Sequence, residues 1–119
     1  MTKERWTPVY GRQPDNDERS ADVPTYISLI RYTDQGIRNI KDSPKRLDAA
    51  KNAFKAMGGE LKQWYLAMGS YDAVVIAEGP NDETAAKLML AVGALGSVRS
   101  ETLRVFTEEE YRKLIAGLP

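Results

Sequence analysis

Tyr71 and Asp72 stand side by side just after a glycine-led turn, Gly69-Ser70. A carboxylate next to a phenol can orient a polar ligand or act as a general base. The same pair also suits a plain turn, with Asp72 accepting local backbone hydrogen bonds and Tyr71 packing on a strand. Arg31, Thr102 and Arg104 fall in two strand-like segments. Sharing the sheet face that helices leave bare, they would line a pocket between subunits and fix a carboxylate or a polar aromatic, with Tyr71 and Asp72 as further candidates for the ligand pocket. Ile27, Leu29 and Arg31 alternate onto one side of their strand, and Thr102, Arg104 and Phe106 onto one side of theirs. The sequence leaves open whether the two sides coincide. A second group, Gln35-Gly36 with Arg38 and Lys41, lies between a strand and a helix, where free backbone N–H groups and two cations could hold an anion. The alternative is a set of surface ion pairs of small energetic value, Arg38 with Asp34 and Lys41 with Asp42.

The composition narrows the chemistry. The 119 residues contain no histidine and no cysteine. The usual general base near neutral pH is therefore absent, as are the usual zinc ligands, the usual haem ligand and any thiolate or disulfide. Catalysis would have to use carboxylate, Tyr, Lys, Arg or a reactive substrate. The carboxylates lack metal-ligand spacing, and Gly58-Gly59 closes a helix instead of opening one, so no metal site, phosphate loop or cofactor is expected. Lys plus Arg and Asp plus Glu balance at 17 each. No net field draws the protein to nucleic acid or an anionic membrane, and neither is expected as a partner. No apolar stretch reaches membrane-spanning length, and the N-terminus lacks a signal-peptide core, which together with the missing cysteine fits the cytoplasm.

The elements that would position these residues follow in order. Residues 1–23 are charged and proline-rich without apolar periodicity, and read as a flexible leader in which Trp6, Val9 and Tyr10 could still dock on a surface. Residues 24–119 form one domain. Thr25–Tyr32 is rich in β-branched and aromatic residues and predicts a strand. Thr33 caps a short turn over 34–41, and Ser43-Pro44 starts a helix with the stripe Leu47, Ala50, Ala53 (or Phe54) and Met57. Gly58-Gly59 stops it. A hairpin follows over Glu60–Glu78, its strands joined by Gly69-Ser70 as a two-residue type II′ turn. Asn81 caps a second helix carrying Ala85, Leu88, Met89, Val92 and Leu95. A fourth strand spans Ser97–Phe106, and Thr107 with Glu110 forms a capping box for a short final helix. Trp64 and Tyr65 point to opposite faces of an edge strand, one toward a helix and one toward a dimer contact; a cofactor stack is the lesser use.

The order βαββαβ predicts an α+β, ferredoxin-like fold: a four-stranded antiparallel sheet in the order 4-1-3-2, helices on one face, and a short C-terminal helix. Ala73–Ala77 is apolar throughout, which predicts cover on both faces of the sheet. A four-stranded face presents on the order of 400 Å². Pairing two such faces removes roughly 20 kcal/mol of gross apolar exposure, against an association cost of about 4–15 kcal/mol. A sheet-to-sheet homodimer, or a higher homo-oligomer built from it, is the expectation.

Several short motifs then carry a resemblance: Tyr32-Thr33-Asp34-Gln35-Gly36-Ile37-Arg38, Lys41-Asp42, Gly69-Ser70-Tyr71-Asp72, Pro80-Asn81-Asp82-Glu83 and Gly96-Ser97-Val98-Arg99. Together they resemble the GYD domain family over Pro24 to about Leu118. The resemblance implies a dimeric α/β-barrel relative of ferredoxin-like fold and no defined activity. The expected function is a non-catalytic binding or regulatory module that takes a small organic ligand between sheet and helices. The alternative is a cofactor-free oxygenase or isomerase acting on an enolisable or aromatic substrate that Arg, Tyr71 or Asp72 would position.

Overall fold

The computed structural model describes residues 23–119, so the leader expectation lies outside the described residues save for Val23. Four strands, β1 (Thr25–Tyr32), β2 (Glu60–Leu66), β3 (Ala73–Glu78) and β4 (Val98–Val105), form one sheet in the order β2-β3-β1-β4. Every neighbouring pair is antiparallel. The helices are α1 (Asp34–Arg38), α2 (Ser43–Ala56), α3 (Asp82–Ala94) and α4 (Glu108–Ala116), with one 3-10 turn at Ile40–Asp42. This is an α+β fold of the ferredoxin-like kind. No helix of the described residues is long and apolar enough to cross a membrane.

Local chemistry sets the ends of these elements. The Thr33 hydroxyl accepts from the Gly36 N–H at 3.1 Å and starts α1. The Asn81 side chain accepts from Thr84 N–H at 2.8 Å and starts α3. Thr107 and Glu110 close the reciprocal capping box of α4, at 2.8 and 3.1 Å. The helix starts at Ser43-Pro44, with Ser43 as the first residue of α2 and not its cap, since the 3-10 turn delivers the chain already helical. Gly58 follows α2 at φ +87°, a conformation that a side chain makes costly.

The hairpin departs from its predicted turn. β2 ends at Leu66 and β3 begins at Ala73, so residues 67–72 connect them instead of Gly69-Ser70 alone. The cause is Asp72, whose backbone is drawn in two directions: its N–H donates to Ile30 O at 2.8 Å and its carbonyl accepts from Ala67 N–H at 2.8 Å. A bulge between Leu61 and Gln63 also shifts the β2 register, which puts Leu61 and Trp64 on the same side of the sheet.

Burial along β3 alternates. Ala73, Val75 and Ala77 are buried, whereas Val74, Ile76 and Glu78 are partly exposed. The buried set joins Tyr26 and Leu88 as the core beneath α2 and α3. The opposite set lies on a sheet face that no described helix covers. An unbroken apolar strand thus serves two different surfaces, one inside the domain and one left open.

Candidate functional site

Between the sheet and its two long helices lies a cavity of about 300 Å³. Its floor is the inward set of strand residues, including Ser28, Ile30, Val75 and Thr102; its roof includes Leu47, Ala50, Phe54, Leu88 and Val92. Small residues make the space. Ala49, Ala50 and Ala53 on α2 face Ala73 and Ala77 on β3, so neither surface fills the gap between layers. Trp64 lines the β2 side, while Tyr65 turns outward and is exposed.

The cavity wall is apolar with a few fixed hydroxyls. Ser28 and Thr102 are direct cross-strand partners, and their hydroxyl oxygens lie 2.8 Å apart. Only one proton of that pair is used between them, so the other hydroxyl retains a donor for a guest. Tyr32 and Ser43 form a second, longer hydroxyl contact of 3.4 Å. Arg46 lines the wall too, with its guanidinium donating to Asn39 O at 2.9 Å and Gly36 O at 3.4 Å. It anchors the α1 turn to α2.

A polar knot is built on Tyr26, one of the residues of the cavity wall. The Tyr26 hydroxyl donates to Asp82 at the start of α3, and Arg104 lies 3.5 Å from the same carboxylate. The Arg104 guanidinium also stacks over Phe106, 4.5 Å from the ring centroid. Burial, then the hydrogen bond to Asp82, pushes the Tyr26 phenol up to about 12. At neutral pH it is therefore a hydrogen-bond donor, not a base.

The five residues considered for one ligand pocket are not brought together. Thr102 and Arg104 pair with Ser28 and Tyr26 and face the helices. Arg31 alternates to the open face, because Ser28, Ile30 and Tyr32 occupy the inward positions. There the Arg31 guanidinium lies 4.4 Å from the Tyr71 ring centroid and donates to Ser70 O at 2.7 Å. The Tyr71 hydroxyl donates to Glu101 at 2.7 Å, and that bond raises its pKa above the ordinary phenol value. Asp72 accepts from Tyr32 N–H at 2.9 Å, which makes it a backbone clasp between β1 and the hairpin loop.

The proposed anion group also separates. Thr33 already takes the Gly36 N–H, and the Gln35 amide donates to Leu95 O at 3.3 Å. Gly36 is there for closeness: a Cβ at this position would sit 2.1 Å from Ser97 O. Arg38 and Lys41 are exposed and stand on different turns. The cavity hydroxyl Ser28 was missed in the sequence, although a serine in the middle of a central apolar strand was its signal.

The fold and cavity together define a ferredoxin-like α+β domain with room for a small guest. Residues 26–115 match the GYD domain model, and the chain belongs to that family. It is 30% identical over 82 residues to a glutamine synthetase and cystathionine beta-lyase binding protein of Thermus thermophilus, covering 68% of this chain and 86% of that one. Among solved structures it is similar to a feast or famine regulatory protein of Mycobacterium tuberculosis complexed with L-methionine, with TM-score 0.60 and 17% identity. It is likewise similar to the leucine response regulatory protein of Mycobacterium tuberculosis, with TM-score 0.59 and 17% identity. Each alignment covers 83% of this chain, and 61% and 62% of the respective regulators. These two likenesses establish the fold.

Proposed function

We propose that this protein is a non-catalytic binding or regulatory module that holds a small organic molecule between its sheet and helices and works as a sheet-to-sheet homodimer. The cavity carries the proposal. Its volume of about 300 Å³ sits at the lower end of small-molecule sites. Its wall is apolar, with the Ser28–Thr102 hydroxyls at the floor. The guest this favours is uncharged or charged only at its rim end: a small aromatic or branched aliphatic bearing one hydroxyl or carbonyl.

Binding is favoured over turnover because the cavity's buried phenol holds its proton and no histidine or thiol is present in the chain. The Thermus relative, a binding protein for two enzymes, and the regulatory proteins of like fold agree with such a module. The dimer is supported by the open sheet face, where Ile27, Leu29, Val74 and Ile76 form an apolar centre with Leu103 and Tyr65 beside it.

Native mass spectrometry of freshly purified protein tests both parts. The expected species has twice the chain mass and carries a small molecule, or accepts an added one such as benzyl alcohol. A monomer that stays empty with every small aromatic or aliphatic alcohol tried refutes the proposal.

A further inference from the structure

The last helix has no seat on its own domain. α2 packs on β2 and α3 packs on β4, but among the described residues α4 packs on no other element to a comparable extent. Its residues Tyr111, Leu114, Ile115 and, one turn on, Leu118 follow the spacing of a single helix face, and each is between 49% and 64% exposed. The ion pair Glu109–Lys113, at 3.9 Å, lies on the opposite side, and Glu108–Arg112, at 2.7 Å, runs along the flank beside the apolar residues. Nine residues are too few for a helix to persist alone, whatever its cap and ion pairs add. Something must cover the apolar side.

A second feature lies on the open sheet face, where Arg31 is stacked on Tyr71 and bonded to Ser70 O but lacks a counter-charge among the described residues. Arg31 and Arg99 are direct cross-strand partners, so both guanidinium groups leave the same side of the sheet. Like charges directly opposite each other oppose pairing. Among the described residues neither has a carboxylate within ion-pair distance; Glu101 beside them is engaged by Tyr71.

We infer that α4 is an exchanged arm. It lies on a second copy of the chain, apolar side inward, with the acidic first turn Glu108-Glu109-Glu110 beside that copy's Arg31 and Arg99. The inference rests on the sheet-to-sheet dimer proposed above and specifies its geometry. Two sheets packed face to face keep their strands aligned within about 30°. A two-fold axis running across the strands lays β4 antiparallel over β4. The end of each β4, from which α4 departs, then comes over the start of the other β4, where Arg99 and Arg31 stand. An axis along the strands would lay β4 over β2 and carry the acidic turn away from the arginines.

Area points the same way. One sheet face of on the order of 400 Å² is about half of the roughly 800 Å² that each partner gives to a stable interface. A helix of this length, about 13 Å by 10 Å, adds its face once as donor and once as receiver, on the order of 250 Å² per copy. Exchange therefore brings the interface close to the size of a stable dimer.

Hydrogen exchange of the full chain, read at high and low protein concentration, tests the arm. Protection of α4 amides that disappears on dilution is the expected result. Protection that does not depend on concentration means that the chain covers its own helix, and overturns the inference. An unprotected α4 in a dimer that remains intact overturns it too, while leaving the sheet-to-sheet dimer standing; a monomer at all concentrations overturns both. The charge contact has its own test. Arg99→Glu should raise the dimer dissociation constant roughly tenfold or more, and adding Glu108→Arg to it, at the first-turn position nearest the apolar side, should recover most of that loss. Equal weakening in the single and double variants, with both folded by circular dichroism, removes the proposed registration.

Discussion

Replacing Ala50 by leucine asks whether the space between sheet and helices is open in solution. Ala50 lies in the middle of α2, half-buried, with its methyl lining the cavity. Leucine is nearly as good a helix former, so the backbone is little affected. The change adds three carbons. Entering free apolar space, each stabilises by about 0.8 kcal/mol, or roughly 2 kcal/mol together after partial exposure is allowed for. For a domain of this size that raises the midpoint of thermal unfolding by about 10 °C. In a packed interior the same three carbons cost about 1–3 kcal/mol, so the sign of the effect is diagnostic. Urea unfolding and calorimetry read the stability, and native mass spectrometry reads the guest. A stabilised Ala50→Leu protein that no longer takes up a small molecule is expected. A destabilised one means that no cavity awaits a guest, and the binding proposal falls with it.

Asp72→Ala should lower stability by about 2 kcal/mol in urea unfolding, because the part-buried Tyr32 N–H loses a charged acceptor, while small-molecule binding persists. An equal loss in Asp72→Asn would show that charge, not the hydrogen bond, matters there. Gly36→Ala should cost about 3 kcal/mol or abolish folding, since its Cβ would meet the Ser97 carbonyl and the backbone would have to move; a neutral effect would contradict that close approach. Tyr26 is raised by burial and by Asp82 to about 12, so its neutral form is the one the fold favours. Its contribution is complete below the ordinary phenol pKa near 10 and is lost as pH climbs toward about 12. Alkaline unfolding should therefore be shallower over that window in Tyr26→Phe than in the parent.

The elements were legible because each rests on local chemistry. Thr33, Asn81 and Thr107 announce helix starts through side chains that reach only three residues ahead, and the structure uses all three. The family resemblance was legible for the same reason, since its motifs sit at those junctions. The hairpin turn was misread because Asp72 answers to Ile30 and Tyr32, some forty residues away in the chain. Nothing beside Gly69-Ser70 reports that pull. Trp64 and Tyr65 were rightly divided between two faces, but the Lys62 bulge that aligns Leu61 with Trp64 left no mark in residue type.

The candidate site divides along the same line. The sequence by itself determined which residue types exist to do chemistry: hydroxyls, guanidiniums and carboxylates, with neither imidazole nor thiol. It determined the alternation on each strand as well, since successive side chains leave a strand on opposite faces whatever surrounds it. Only the tertiary structure decided which alternation faces the helices. Register links strands that lie far apart in the chain, and a shift of one residue exchanges the two faces completely. That step sent Thr102 and Arg104 inward to Ser28 and Tyr26, left Arg31 outside with Tyr71, and opened a cavity among alanines that look like ordinary helix and strand filler until two layers meet.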